Sequence, residues 1–424
     1  MKGNGKKPIG VDLFAGAGGM SLGFEQAGFD ILAAVEYDPI HASTHEFNFP
    51  GCATICRSVA DIDGDYIRSN SRIGKRDVDV VFGGAPCQGF SMIGKRALED
   101  PRNHLVYHFV RIVSELKPKY FIFENVRGLT VGEHKKFLEE IIGEFKVRGY
   151  KVQDDYRVLN AMNFGVPQDR QRLFLMGARK GHGLPEYPAK THELPGTNLD
   201  LGFMETTPTV WEAIGDLPEA DKYEELLSRD WVEAEYEKPS PYARLLRQKT
   251  ENGRLCNLLT SSMRTIHTPL SQERFKATAP GETEPVSRFL KLDPNGVCNT
   301  IRAGTASDRG AFTSPRPIHP FSPRCITVRE AARLHSYPDW FRFHVTKWHG
   351  FRQVGNSVPP LLGQAVASKI MERLGSELQV EGPRRMGDRS LLEFNMSHAA
   401  AHYGVSATVI PHRTRRSETE KAHV

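Results

Sequence analysis

The sequence predicts an α/β fold: an open parallel sheet with helices on both faces, and a smaller irregular region inserted late in the chain. Three observations predict it. Between residues 9 and 130, short apolar runs alternate with helix-length amphipathic segments, the rhythm of strand–helix–strand units. A glycine-rich turn joins the first apolar run to the first helical segment, and an acid, Glu36, ends the second run. From about 181 to 320 the rhythm stops, and Pro, Gly and charged patches interrupt short apolar pieces.

Each element has its own signal. Residues 9–14 and 31–36 are apolar runs of strand length, and 20–26 between them is helical. A second helix covers 39–47, opened by Pro39, whose fixed φ suits a first turn. A third strand covers 78–82. The helix 104–116 is ended by Lys117-Pro118, and a fourth strand follows at 120–123. Residues 137–148 read as a helix and 173–177 as a strand. Regularity returns with a helix at 327–335, and 361–374 closes the pattern after the Pro359-Pro360 pair. The expected organisation is 1–180, an insertion at 181–320, a return at 321–378 and a tail from 379. Between 383 and 424 the tail has seven Arg or Lys against four Asp or Glu. Ala400, Gly404 and Ile410 fit helix-turn-helix spacing there, although Pro411 cuts the second helix short. The competing readings are a small docking segment or a basic tail.

Bulk properties narrow the class. The 424 residues carry a formal net charge of +5, which permits a nucleic-acid partner without demanding one. No apolar run approaches the roughly 20 residues needed to span a bilayer. The basic N-terminus is not followed by an apolar segment of signal-peptide length. Six cysteines are scattered, and the four-residue spacing of Cys52 and Cys56 has no matching second pair. The expectation is a reduced, cytoplasmic protein without a metal site.

The residues that carry chemistry sit at predicted strand ends. In residues 83–91 (GGAPCQGFS) a glycine pair ends the third strand, and Pro86 fixes the backbone just before Cys87. A cysteine on a loop at a strand end is placed to act as a nucleophile; a buried structural thiol is the competing reading. Gly16, Gly18 and Gly19 lie between strand and helix, where a ligand can approach the backbone. Glu36 occupies the place where an acid commonly holds ribose hydroxyls, and Asp61-Ile62 can close the adenine side. No phosphate-binding lysine accompanies the glycines, which argues against a P-loop. Glu124 follows the fourth strand. The carboxyl ends of parallel strands share one edge, so Glu124 and Cys87 are expected to face one crevice; a surface Glu is the alternative. Arg170 and Arg172, two apart, point the same way if extended, toward a carboxylate, phosphate or carbonyl, or else form a solvated cluster.

With these residues in view, the chain resembles the DNA (cytosine-5)-methyltransferases. The resemblance rests on residues 12–19, Glu36, Asp61-Ile62, residues 84–91, Glu124-Asn125-Val126, residues 168–172, residues 324–341 (RCITVREAARLHSYPDWF) and residues 355–360 (GNSVPP), in that family's order and spacing. It covers about 1–178 and 322–376. The insertion matches only by position and size, and the tail lies outside. His335-Ser336-Tyr337 departs from the Gln-Gly-Phe pattern expected there.

The resemblance implies a Rossmann-like sheet of the S-adenosylmethionine-dependent methyltransferases with an inserted target-recognition domain. It implies methyl transfer to carbon 5 of a cytosine flipped out of double-stranded DNA. Cys87 would attack carbon 6 and Glu124 would contact ring nitrogen 3. Arg170 would orient the base and support Glu124, and Arg172 would position backbone or loop. The cofactor site would comprise Phe14, Ala15, Gly16, Gly18, Gly19, Glu36, Tyr37, Asp61, Ile62, Pro86, Leu105, Asn356 and Ser357. The stretch 94–103, with Arg102-Asn103, would be a loop that closes over DNA, and Thr260 or Thr300 would lie near the base. The setting implied is a prokaryotic modification or defence system, with a cognate restriction partner and a monomeric enzyme. The tail is expected to be dispensable for methylating short duplexes. The rivals are an RNA cytosine-5 methyltransferase, which has little room for a recognition domain of this size, and a catalytically silent DNA-binding protein.

Overall fold

The computed structural model describes residues 6–86, 104–132, 134–153, 155–194, 204–249, 253–304, 316–376 and 385–410. The first part runs β1 (Ile9–Leu13), α1 (Gly19–Gln26), β2 (Asp30–Glu36), α2 (Pro39–Asn48), β3 (Ala53–Cys56), α3 (Gly64–Ser69), β4 (Val80–Gly83), α4 (His104–Leu116), β5 (Tyr120–Val126), α5 (His134–Val147), β6 (Tyr150–Val152), β7 (Arg157–Asn160) and β8 (Gln171–Arg179). Among the described residues these strands form one eight-stranded sheet ordered β3-β2-β1-β4-β5-β8-β6, with β7 also paired to β8. The order reverses between β1 and β4, which opens a crevice at the carboxyl ends of those strands.

The strands read as continuous apolar runs because both faces of the sheet are covered. Val80 and Phe82 enter one core and Val81 the other. Each such buried side chain contributes about 1.5–3 kcal/mol relative to an exposed one. Helix α2 starts where Asp38 accepts from the Ile40 amide at 3.0 Å, with Pro39 at its first position.

The sheet is not wholly parallel. β1 to β5 pair in parallel, but β8 runs antiparallel to β5, β6 and β7. For β7 and β8 the reason is the connection: residues 161–170, which open with a 3₁₀ turn at Ala161–Phe164, are too few for the helical crossover that a parallel pair needs. The fourth strand also extends to Val126, so Glu124 lies within β5 rather than after it.

The insertion holds β9 (His192–Glu193), β10 (Glu205–Thr206), α6 (Val210–Ile214), β11 (Val232–Glu233), α7 (Pro241–Leu246), β12 (Leu258–Leu259) and α8 (Pro269–Ala277). Its core is not separate. Val210, Leu226 and Leu259 belong to the same buried cluster as Phe24 and Phe82 of the first part. The return comprises α9 (Val328–Leu334), α10 (Lys347–Asn356) and α11 (Pro360–Leu374). Thr327 and Glu330 close α9 with a capping box. A buried salt bridge ties α9 to the insertion, Arg333 to Asp216 at 3.0 Å, and Arg333 also pairs with Asp339 of the return at 2.6 Å. α11 lies against α1 at a glycine: a Cβ at Gly23 would sit 2.6 Å from the Pro360 carbonyl oxygen.

The tail contributes one described helix, α12 (Met396–Tyr403). Its C-cap is Gly404 at φ 60°, and residues 405–410 form turns and bends rather than the second helix of a helix-turn-helix. Leu391 and Leu392 bury against Phe47 of α2, so the described tail is packed on the first domain.

Candidate active site

The carboxyl ends of β1, β2, β4 and β5 open into a cavity of about 760 Å³. Its wall combines Phe14, Ala15, Gly16 and Gly19 with Glu36, Tyr37, Pro86 and Leu105, then Glu124, Arg172, Asn356 and Ser357. Twelve of the residues expected from the sequence therefore share one cavity.

The turn after β1 is shaped by backbone demands. Phe14 adopts φ 65°, a left-handed conformation in a non-glycine residue, of the kind that clusters at ligand sites. Gly16 donates its amide to Glu36 Oε2 at 2.7 Å, and Asp38 donates to Glu36 Oε1 at 2.9 Å. A carboxylate has about four lone-pair sites, so Glu36 keeps acceptor capacity for a hydroxyl pair on a ligand. Burial raises its pKa, and His41 is the largest opposing influence. At Gly19 a Cβ would fall 2.5 Å from the Tyr337 hydroxyl and 2.6 Å from the Val358 carbonyl, so glycine lets the 355–358 segment reach the pocket.

Sequence reasoning missed Asp12. It lines the cavity floor, is buried, and accepts from the Ser21 hydroxyl at 2.6 Å. Burial pushes its carboxyl up to about 8, against the Ser21 hydrogen bond. It stands in the first strand as an acid among apolar residues, which was the available signal.

At the other end of the cavity lies an ion pair, Arg172 Nε to Glu124 Oε1 at 3.0 Å. In the β5–β8 register Glu124 faces Phe174 and Val126 faces Arg172. The pair is thus a diagonal contact on one face, within reach of long side chains. Burial raises the Glu124 pKa, while Arg172 and then Arg170 hold it down. Space beside it is tight: a Cβ at Gly84 would lie 2.4 Å from Glu124 Oε2 and displace that carboxyl, and one at Gly83 would lie 1.9 Å from the Leu13 carbonyl oxygen, where only glycine fits. Asn125 donates to the Ala85 carbonyl at 3.0 Å, which fixes the chain leading to Cys87. Cys87 itself, and the stretch 94–103 with Arg102-Asn103, lie outside the described residues.

Other expectations differ from the geometry. Arg170 does not enter the cavity. It is fully buried and donates to the carbonyls of Ile301 at 2.9 Å and of Gly355 and Ser357 at 2.8 Å. Arg170 precedes β8 and Arg172 lies inside it, so two-residue spacing does not give a shared direction; Arg172 makes the Glu124 contact expected of Arg170. Burial lowers the Arg170 pKa well below its ordinary value. Gly18 packs instead against Phe49 and His45. Asp61 is exposed and Ile62 is buried in a core cluster. Ser58 and Val59, a few residues earlier, line the wall where those two were expected. Thr260 is buried beneath Arg329, which donates to its hydroxyl at 2.8 Å. Thr300 donates to the Asp169 carbonyl at 2.7 Å. Ser336 takes φ 62° where the expected pattern has glycine, and its hydroxyl accepts from the Leu361 amide at 3.2 Å.

Arg170→Met is expected to destabilise the fold by about 2 kcal/mol or more, since the Ile301 and Gly355 carbonyls are left unpaired at about 1–3 kcal/mol each, while the Ser357 carbonyl keeps the His335 Nε2–H at 3.1 Å. Urea unfolding monitored by circular dichroism measures it. A loss under about 1 kcal/mol would show that these two carbonyls find other donors.

A family model for C-5 cytosine-specific DNA methylase matches residues 10–372. The chain is 61% identical over 420 residues to the Type II methyltransferase M.XorII of Xanthomonas oryzae pv. oryzae, covering 96% of this chain and 95% of that protein. It is 36% identical to the Type II methyltransferase M1.HphI of Haemophilus parahaemolyticus, over 85% of this chain and 86% of that one. Among solved structures, a prophage-encoded E. coli protein described as a DNA modification methyltransferase superposes with a TM-score of 0.68 at 33% identity, over 87% of this chain and 100% of that one. The S. pombe Dnmt2 methyltransferase superposes at 0.57 with 15% identity, over the same shares, a likeness of fold. With the motif-bearing strand ends gathered on one cavity and the family match spanning most of the sequence, the chain belongs to the C-5 cytosine-specific DNA methylases.

Proposed function

We propose that this methyltransferase modifies carbon 5 of a cytosine in a specific double-stranded DNA sequence, with S-adenosylmethionine as methyl donor, within a bacterial restriction–modification system. The observation that carries the reading is the single cavity holding Glu36 at one end and the Glu124–Arg172 pair at the other. The named relatives support the setting.

The cavity suits S-adenosylmethionine. Its volume lies in the range of small-molecule sites, Glu36 retains acceptor capacity for ribose, and Phe14, Tyr37, Ser58 and Val59 offer a partly apolar wall for a purine. When bound, the cofactor supplies an electrophilic methyl group. The chain's own residues do the rest. Cys87, as thiolate, adds to carbon 6 of a base extracted from the stack. Glu124 donates a proton or hydrogen bond to ring nitrogen 3, which makes carbon 6 electrophilic, and Arg172 holds Glu124 in place. Addition turns carbon 5 into the nucleophile that would take the methyl group, with S-adenosylhomocysteine as the leaving group. Removal of its proton by a base, water in this reading, then re-forms the 5,6 double bond and expels the Cys87 thiolate. The insertion 181–320 selects the target sequence, and the enzyme acts as a monomer.

Bisulfite sequencing of DNA from cells expressing the chain tests the reading: protected cytosines in one recurrent sequence support it. Labelled methyl transfer to transfer RNA but not to DNA favours the RNA rival, and no transfer to either favours the silent DNA-binding rival.

Glu36→Ala is expected to weaken S-adenosylmethionine binding by about 1.5–3 kcal/mol, the worth of hydrogen bonds to a charged group. Calorimetry that finds unchanged affinity removes Glu36 from the ribose site.

A further inference from the structure

The cofactor cavity has a wall that the family match does not include. The match ends at residue 372, yet Ile410 lines the cavity. The Tyr37 hydroxyl donates to the Val409 carbonyl at 2.7 Å. Arg57, another wall residue, donates to the Tyr403 carbonyl at 3.3 Å. The two cavity loops that follow β2 and β3 are therefore both tied to the tail.

The tail is held in place to do this. Val345 donates to the Leu392 carbonyl at 3.1 Å and Gly387 to the Phe47 carbonyl at 2.8 Å. The Tyr403 hydroxyl donates to Glu46 at 2.7 Å. Gly404, in the left-handed conformation, ends α12, and Val405 folds back onto the Ala400 carbonyl at 2.9 Å. A glycine there costs no side-chain clash and turns 405–410 back toward Tyr37. Without the tail, the Tyr37 hydroxyl would lose its Val409 partner.

We propose that residues 405–410 are a cofactor-retaining strap: Ile410 closes one wall of the S-adenosylmethionine cavity, and the Val409 carbonyl fixes Tyr37 against the bound purine. This rests on the cofactor reading above, and it replaces the expectation that the tail is dispensable. Tyr37 and Ile410 are positioning residues in this arrangement. They leave the methyl-transfer chemistry itself to other groups.

Calorimetric titration with S-adenosylmethionine and with S-adenosylhomocysteine tests it, using chains shown by thermal melting to be folded. The chain ending at Ile410 should bind like the full chain. The chain ending at Gly404 should bind about tenfold more weakly, the combined loss of one hydrogen bond and part of one apolar contact. Tyr37→Phe, which keeps the ring, should cost about two- to tenfold in the full chain and nothing further in the chain ending at Gly404. Equal affinity of all chains overturns the strap. So does a loss already complete in the chain ending at Ile410, or a Tyr37→Phe cost that is the same in both backgrounds. If the chain ending at Gly404 does not fold, Tyr37→Phe and Ile410→Ala in the full chain decide, and two unchanged affinities reject the proposal. A full chain that binds neither ligand, or binds them as well with Glu36→Ala, refutes the cofactor reading and the strap with it. Glu36-dependent binding that ignores the tail refutes the strap alone.

Discussion

Cys87→Ser should abolish methyl transfer while DNA binding survives. In the proposed mechanism the Cys87 thiolate is the nucleophile, and a serine hydroxyl is a far weaker one at neutral pH. Loss of a covalent nucleophile can cost up to about 10⁶ in kcat, so turnover below about one-thousandth of the parent is expected. The substitution changes one atom, and the supports of the preceding chain remain: Asn125 still holds the Ala85 carbonyl at 3.0 Å, and Gly83 and Gly84 still pass Leu13 and Glu124. Gel-shift affinity for a target duplex should stay within about threefold, less than one kcal/mol. Single-turnover assays with labelled cofactor read the chemistry. Transfer by the serine variant within tenfold of the parent would remove the covalent step from the mechanism.

The strands that build the site were legible because buried parallel strands are continuous apolar runs with chemistry at their ends. Glu36 and Glu124 each stand out as an acid following such a run, and both line the cavity. The failures share a cause: a motif shows that residues are near a site, not which way each side chain points. Arg170 and Arg172 look alike in sequence, but the start of β8 falls between them, and one becomes a buried tie among three carbonyls while the other meets Glu124. Asp61 lies beyond the wall that Ser58 and Val59 form. The short β3, β6 and β7 gave too little periodicity to separate from loop. The tail's packing was illegible for a different reason: its partners, Phe47, Tyr37 and Glu46, lie more than 300 residues away in the chain, and no local pattern records such a contact.

Glu124→Gln should lower kcat by about 10²–10⁴, the usual worth of a positioned proton donor. Cytosine becomes electrophilic at carbon 6 only when nitrogen 3 is protonated or strongly hydrogen-bonded, and a glutamine amide can offer a hydrogen bond but no proton. The neutral carboxyl is the donating form, and burial favours it by raising the Glu124 pKa. Arg172, 3.0 Å away, opposes that rise. The sign of a second effect follows. Ionisation of Glu124 as pH increases should remove activity, because the neutral carboxyl is the donating form. Arg172→Gln removes the charge that stabilises the carboxylate, so the Glu124 pKa rises and the loss of activity on its ionisation should move to higher pH. A pH series of single-turnover rates on one target duplex, with circular dichroism to show each variant folded, measures both. Glu124→Gln turning over within tenfold of the parent would deny the carboxyl its role at nitrogen 3. A loss of activity at low pH that moves to higher pH in Arg172→Gln would mean that the carboxylate, not the neutral acid, is the working form.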